Sequence, residues 1–216
     1  MRSDRSFKFF QPEVSMKQDS ANLAALVGAR ICHDLISPVG AINNGLELLA
    51  MNDTAASAGP EIELIGDSCN NAQARIRFFR VAFGTSSDSQ QLGRSEVVSI
   101  LTSLEKGSRL LADWRPTEAL SRRDVQLAFL GLLCFETALP QRGTVVFERR
   151  GAHWHITGRG PRILYDPDLW QMLTDPIFEV ELTSARVQFR MLQLIAQDTG
   201  HAPRVRYEED VLTLDL

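Results

Sequence analysis

Two ladders of apolar residues decide most of what this chain can fold into. Ala24, Gly28, Ile31, Leu35, Val39, Ile42, Leu46 and Leu49 advance by steps of four and three. That spacing puts them on one stripe of a helix, the seam of a coiled-coil-like contact. Ile62, Ile65, Cys69, Ala72, Ile76, Phe79 and Phe83 form a second ladder of the same kind. The stretch NDTAASAGP lies between them, and its Gly59 and Pro60 punctuate a turn, Pro60 suiting the first turn of a new helix. The first helix is expected from near Ser20 to about Met51. Two long amphipathic helices joined this closely make an antiparallel hairpin. A lone hairpin leaves its stripe half covered, so two copies are expected to pair as a four-helix bundle across a homodimer.

From about Leu92 the texture changes. EVVSILTSLEK reads as a helix and SRLLADW as a strand, and a capping box of Ser121 and Asp124 opens the helix SRRDVQLAFLGLLCFETAL. TVVFERR and HWHITGR are strand-like around the turn RGAH, and DPDLWQMLTD reads as a short helix. TSARVQFRMLQLIAQDTG is a helix stopped by Gly200, and two short strands follow. Helices and strands in this order suggest an α+β sandwich with helices on one face of a sheet. The division expected is a flexible N-terminus over 1–18, the hairpin over 19–85, a linker near 85–93 and the α+β unit over 93–216.

Composition narrows the class. The chain has 216 residues, 44% apolar and 23% charged, enough for a sizeable core, and its net charge of −4 does not suit a nucleic-acid backbone. Three scattered cysteines, without a C-x-x-C pair, argue for a reducing compartment and against a disulfide scaffold or zinc knuckle. No uninterrupted apolar run of about 18 residues occurs, so no membrane span is expected. The N-terminus does not read as a signal peptide, and the location expected is the cytoplasm.

The first helix carries an unusual insertion, ICHDLISPVGAINNGLELLA at 31–50. His33 lies two residues from both Ile31 and Leu35, which turns it away from the seam. Its face is shared by Ala29, Arg30, Ser37, Gly40 and Asn44, mostly small or polar, so a large docking surface can reach it. Asp34 can fix the imidazole tautomer and leave the other nitrogen a free nucleophile. Ser37 lies one turn on, where its hydroxyl can orient water or phosphoryl oxygens. Pro38 removes the hydrogen bond to the Asp34 carbonyl, and a proline inside a helix costs about 3 kcal/mol.

HDLISP resembles the phospho-acceptor motif of histidine-kinase dimerisation domains. The longer stretch ICHDLISPVGAINNGLELL resembles the ChpT-type histidine phosphotransferases of alphaproteobacteria, and the likeness extends over most of the chain after residue 20. It implies a dimeric bundle in which each subunit carries a domain shaped like a kinase ATP-binding domain. It further implies a relay in which His33 takes a phosphoryl group from one receiver-domain aspartate and yields it to another. The partners implied are response-regulator receiver domains and an upstream hybrid histidine kinase, with Mg²⁺ supplied by the receiver and no cofactor or metal on this chain.

A kinase ATP domain needs a helix Asn for Mg²⁺, an Asp for the adenine and glycine-rich loops at the phosphates. Here LAFLGLLCFETAL has no Asn, the frame from Ile156 to Ile163 holds Gly158 at the Asp position and Arg162 at the last glycine, and LTSARVQF has no glycine. Nucleotide binding is not expected. Two alternatives stay open: an autophosphorylating histidine kinase, and a non-enzymatic dimeric adaptor that docks response regulators.

Other features are weaker. A hairpin turn near Ser57 would set His33 level with residues 79–83, so Arg77 and Arg80 either help seat an acidic partner or are solvated charges on a helix face. Phe78 is either core or part of a docking patch. His153 and His155 share a strand face but lack a third metal ligand nearby in sequence. Cys32 is expected to be a buried or half-buried thiol.

Overall fold

The structure is a computed structural model that describes residues 12–51, 59–85 and 89–216, with side chains from Ser20 onward. Helix α1 (Pro12–Met51) and helix α2 (Gly59–Ala82) form the hairpin. The turn between them lies mostly outside the described residues, as does part of the proposed linker. Helix α1 begins at Pro12, not near Ser20, so the lead-in expected over 1–18 is helical for its last third. Proline is tolerated in a first turn because its missing N–H would be unpaired there anyway. The apolar ladder carries no such signal. The helix is continuous through Pro38.

The two helices lie close where α1 has no side chain. A Cβ on Gly45 would sit 2.6 Å from Ile65 Cγ1, so glycine sets the interhelical distance there. Among the described side-chain positions of α1, from Ser20 onward, Pro38 and Gly45 are the buried ones, whereas Val39 and Leu46 of the ladder are exposed. By length and composition, Ser20–Met51 is also long and apolar enough to cross a membrane, although its apolar residues do not form an uninterrupted run. Its apolar character is spread over exposed positions, with only 6% of the stretch buried.

The α+β unit follows. Strand β1 (Gln91–Leu92) pairs antiparallel with β3 (Leu120–Ser121), a short link that two-residue strands leave invisible to alternation patterns. Helix α3 (Arg94–Glu105) leads to β2 (Leu110–Trp114). Helix α4 (Arg122–Ala138) starts at the expected cap, Asp124 N donating to Ser121 Oγ at 3.0 Å. Strands β4 (Gly143–Arg150) and β5 (His153–Arg159) turn at Gly151, whose φ of 63° suits glycine. Helix α5 (Pro167–Thr174), a 3-10 turn over Ser184–Arg186, helix α6 (Val187–Asp198), β6 (Arg204–Glu208) and β7 (Val211–Asp215) complete the chain. The helix expected from Thr183 is therefore 3-10 for its first turn.

The sheet order is β2-β4-β5-β7-β6, with β2 parallel to β4 and the other pairs antiparallel. Alternation gives it two unlike faces. Val145, Phe147, Trp154, Ile156, Leu212 and Leu214 point into the core, while Glu148, His155, Thr213 and Asp215 line the other side. Helix α4 is buried without interruption from Val125 to Phe135, as expected of a helix apolar all round.

The hairpin is built into this core. Phe78 stacks on Phe129 of α4 with ring centroids 4.6 Å apart, and Phe79, Val81 and Ala82 are buried in the same cluster. Phe78 is therefore core, not part of a docking patch. Gln126 Nε2 donates to the carbonyls of Ala82 (3.1 Å) and Gly84 (2.9 Å), and Arg122 donates to that of Arg80, so α4 caps the end of α2.

Candidate functional site

His33 stands near the middle of α1 with its side chain 84% exposed. Its Nδ1 lies 3.1 Å from Asp34 Oδ1. With the Nδ1 proton donated to that carboxylate, Nε2 carries the lone pair and faces solvent. Asp34 points the other way, into the protein, and its side chain is only 11% exposed. One carboxylate thus reaches both the exposed ring and the interior.

Two arginines hold its other oxygen. Arg30 Nε donates to Asp34 Oδ2 at 2.9 Å, and Arg75 Nη1 approaches the same oxygen at 3.8 Å while Arg75 Nε donates to Asn71 Oδ1 at 3.0 Å. Arg30 also spans to the α+β unit: Nη1 donates to the Ala185 carbonyl at 3.0 Å, and Nη2 lies 3.7 Å from Glu136 Oε2. Burial pushes the Glu136 carboxyl above its usual range; Arg30 and Arg75 draw it back, Asp34 adds to the rise and Arg109 opposes it. A cavity of about 380 Å³ lies at this junction, with Arg109, Arg186 and Thr137 in its wall.

Arg30 differs from expectation. It was placed with His33 on the open face as a partner-binding residue, yet its side chain is 14% exposed and its guanidinium is turned inward. A long side chain starting beside an open face can still reach carboxylates on a neighbouring helix. Ser37 is exposed and lines a groove of about 630 Å³ together with Pro38, Arg75, Arg77, Ser103 and Lys106. Around Gly40 an added Cβ would meet nothing within 4 Å, and Asn44 is exposed, so this side of α1 is open beyond His33.

The hairpin register also differs. Gly45 faces Ile65 and Asp34 faces Arg75, which sets His33 near Ile76 and Arg77, about a turn below the level expected from a loop centred at Ser57. Arg77 is exposed and borders the groove that holds Ser37. Arg80 is exposed in a separate recess against α3, with Glu96 and Arg122. Cys32, expected to be a buried or half-buried thiol, is exposed, α1 being covered on one side only; Cys134 is the buried thiol, and burial pushes it well up.

Sequence reasoning missed Arg75, Glu136 and the Ala185 carbonyl. The Arg30–Asp34 spacing of four is a readable helix pair. Nothing in the sequence says that Glu136, on another helix, joins them.

His153 and His155 do not come together as a metal site. His155 Nδ1 lies 2.6 Å from Asp215 Oδ1, Arg206 Nη2 donates to Asp215 Oδ2 at 2.9 Å, and the His153 ring packs against His201. Among the described residues no group of three or more His, Cys, Asp or Glu is arranged to hold a metal ion. At the end of β5, Phe135 fills the space beside Gly158: an added Cβ would lie 2.4 Å from its ring.

The site is thus an exposed, carboxylate-oriented histidine on a helical hairpin joined to an α+β unit. Residues 94–210 match the family described as "Histidine phosphotransferase C-terminal domain". The protein phosphotransferase ChpT of Brucella abortus (strain 2308) is 31% identical over 185 residues, covering 83% of this chain and 87% of that protein. A bacterial phosphotransferase solved at 1.7 Å superposes with a TM-score of 0.76 at 28% identity, covering 90% of this chain and 95% of the other. The chain belongs to the histidine phosphotransferase family and is a phosphotransferase of two-component phosphorelays.

Proposed function

We propose that His33 is the phosphoryl carrier, and that this protein moves the group from a phospho-aspartate of one receiver domain to the aspartate of another. The observation that carries the reading is the geometry of His33 itself: an exposed ring whose Nδ1 is taken by Asp34, leaving Nε2 open. In the forward step the Nε2 lone pair attacks phosphorus, the N–P bond forms and the acyl-phosphate P–O bond breaks. The electron pair leaves with the receiver's carboxylate. Asp34 faces the positive charge that develops on the ring, and Ser37 sits one turn away to meet phosphoryl oxygens. The return step to a second aspartate is the reverse.

Such transfer depends mainly on positioning and charge stabilisation. Asp34 is engaged with Arg30 and Arg75, and Glu136 with Arg30. In this reading Mg²⁺ therefore comes with the partner's acidic pocket. The groove bearing Ser37, Arg77 and Lys106 gives an acidic receiver cationic contacts on both the hairpin and the α+β unit, while Gly40 and Asn44 keep the approach clear. Arg80, a turn above, extends the basic edge.

The α+β unit acts in this reading without ATP, as a kinase-like module that has lost its ligand. The Phe135 ring beside Gly158 supports this, since no side chain at 158 has room to reach an adenine. The upstream donor is then a hybrid histidine kinase bearing its own receiver. The active form is a cytoplasmic homodimer, with the exposed ladder residues of α1 and α2 at its interface.

The test is incubation of the purified protein with [γ-³²P]ATP alone, and separately with a phosphorylated receiver domain and Mg²⁺. The expected result is label in the second case only, acid-labile, base-stable and absent in His33→Gln. Label from ATP alone would make the protein a kinase; label surviving in His33→Gln would move the carrier elsewhere.

A further inference from the structure

We infer that Arg30 is a positioning residue for phosphoryl transfer: anchored on the α+β unit, it fixes the Asp34 carboxylate that in turn fixes the His33 ring. The inference rests on His33 being the carrier. It adds a role for the second half of the chain that needs no ligand there.

An aspartate directly after a histidine on a helix projects about 100° away from it, so contact between their side chains is not assured by sequence. Here the carboxylate is divided. Oδ1 goes to His33 Nδ1 at 3.1 Å, and Oδ2 is held by Arg30 Nε at 2.9 Å. Without that hold only Arg75, at 3.8 Å, faces Oδ2; Asp34 then has freedom to leave the ring for other rotamers, and the imidazole to exchange its proton between nitrogens. Arg30 does not hold Asp34 from the hairpin alone. Its other end donates to the Ala185 carbonyl, in the 3-10 turn before α6, and lies against Glu136 of α4. A guanidinium satisfies all three at once because its donors are fixed in a planar fork. A lysine has a single ammonium on a flexible stem and cannot match both ends. The side chain is 14% exposed, which leaves it little other function in solution.

The nucleophile's tautomer is thus set by a chain of three links, of which the last belongs to the α+β unit. This gives that unit a mechanical part in transfer: it holds the far end of the arm that aims the histidine.

The test uses the full chain as Arg30→Gln and Arg30→Lys, with two readouts. The first is the ¹⁵N spectrum of the imidazoles, only four histidines being present in the sequence. The wild type is expected to show His33 as a single Nδ1–H tautomer, and both variants a mixture. The second is the rate of phosphoryl transfer from a phosphorylated receiver, measured beside the receiver's binding affinity. Transfer is expected to fall on the order of 10- to 100-fold with affinity held within about twofold. Glu136→Gln, which weakens only the far anchor, is expected to give a smaller loss of the same kind. Wild-type tautomer and wild-type transfer rate in folded Arg30→Lys would overturn the inference. Failure of the wild type itself to accept label would instead refute the carrier assignment, and the tautomer spectra would still decide what Arg30 does.

Discussion

At the scale of single residues, Glu136 is where pH is expected to act on the junction. Its carboxyl is raised above the ordinary value of 4.5, chiefly by burial. An acid raised in the folded state binds its proton more readily there than in the unfolded chain. Its contribution to stability is therefore full below 4.5 and declines as pH rises through the raised value. Glu136→Gln removes that dependence. Urea unfolding of both proteins from about pH 4 to about pH 8 should show the wild type losing ground to the variant as pH rises. A gap that moves the other way would mean that the pairing with Arg30 outweighs burial. His33, Asp34 and Ser37 are legible in the sequence because their relation is local, a matter of helix phase over a few positions. Arg30 is legible only in half: its bond to Asp34 follows from spacing, whereas its reach to Glu136 and Ala185 spans more than a hundred residues and has no sequence signal.

Secondary-structure elements were read well where their period is long and clean. The two hairpin helices, α3, α4 and the longer strands of the sheet all occur where the sequence patterns place them, although the hairpin's register does not. The misses have local causes. Backbone chemistry at Pro12 starts α1 early, two-residue strands are too short to alternate, and a 3-10 turn precedes α6. Strand β5 carries the sharpest test at this scale. Gly158 lies on its core side, where an added Cβ would fall 2.4 Å from Phe135 Cδ1 and 2.6 Å from Cε1. Phe135 is itself buried in α4, so neither strand nor helix yields easily. Gly158→Ala should cost about 1–3 kcal/mol through overpacking, seen as a lower urea midpoint at unchanged slope. A variant as stable as the wild type would show that α4 can slide, and that the filled space beside Gly158 is soft.

For the whole molecule the open question is what covers the hairpin. Val39 and Leu46 on α1, and Ile62 and Ile76 on α2, are exposed apolar residues of the two ladders. Sedimentation velocity at micromolar concentration should give a dimer, and charged substitutions at Leu46 and Ile62 together should give a folded monomer. A wild-type monomer would contradict the bundle. The expectation of pairing rests on the seam, which a lone hairpin leaves half covered, and the geometry of such a contact lies between chains and has no counterpart in one sequence. The joint between the halves was not legible at all. Phe78 falls just off the ladder, and only the fold shows it stacked on Phe129 with the end of α2 capped by Gln126. That joint bears on association. A hinged protein must give up the freedom between its domains each time a partner grips both, and this ordering cost is subtracted from every affinity. Here the two halves are already one body. In the proposed relay, a receiver that touches the hairpin and the α+β unit together would meet a surface whose two parts are already held by a shared core.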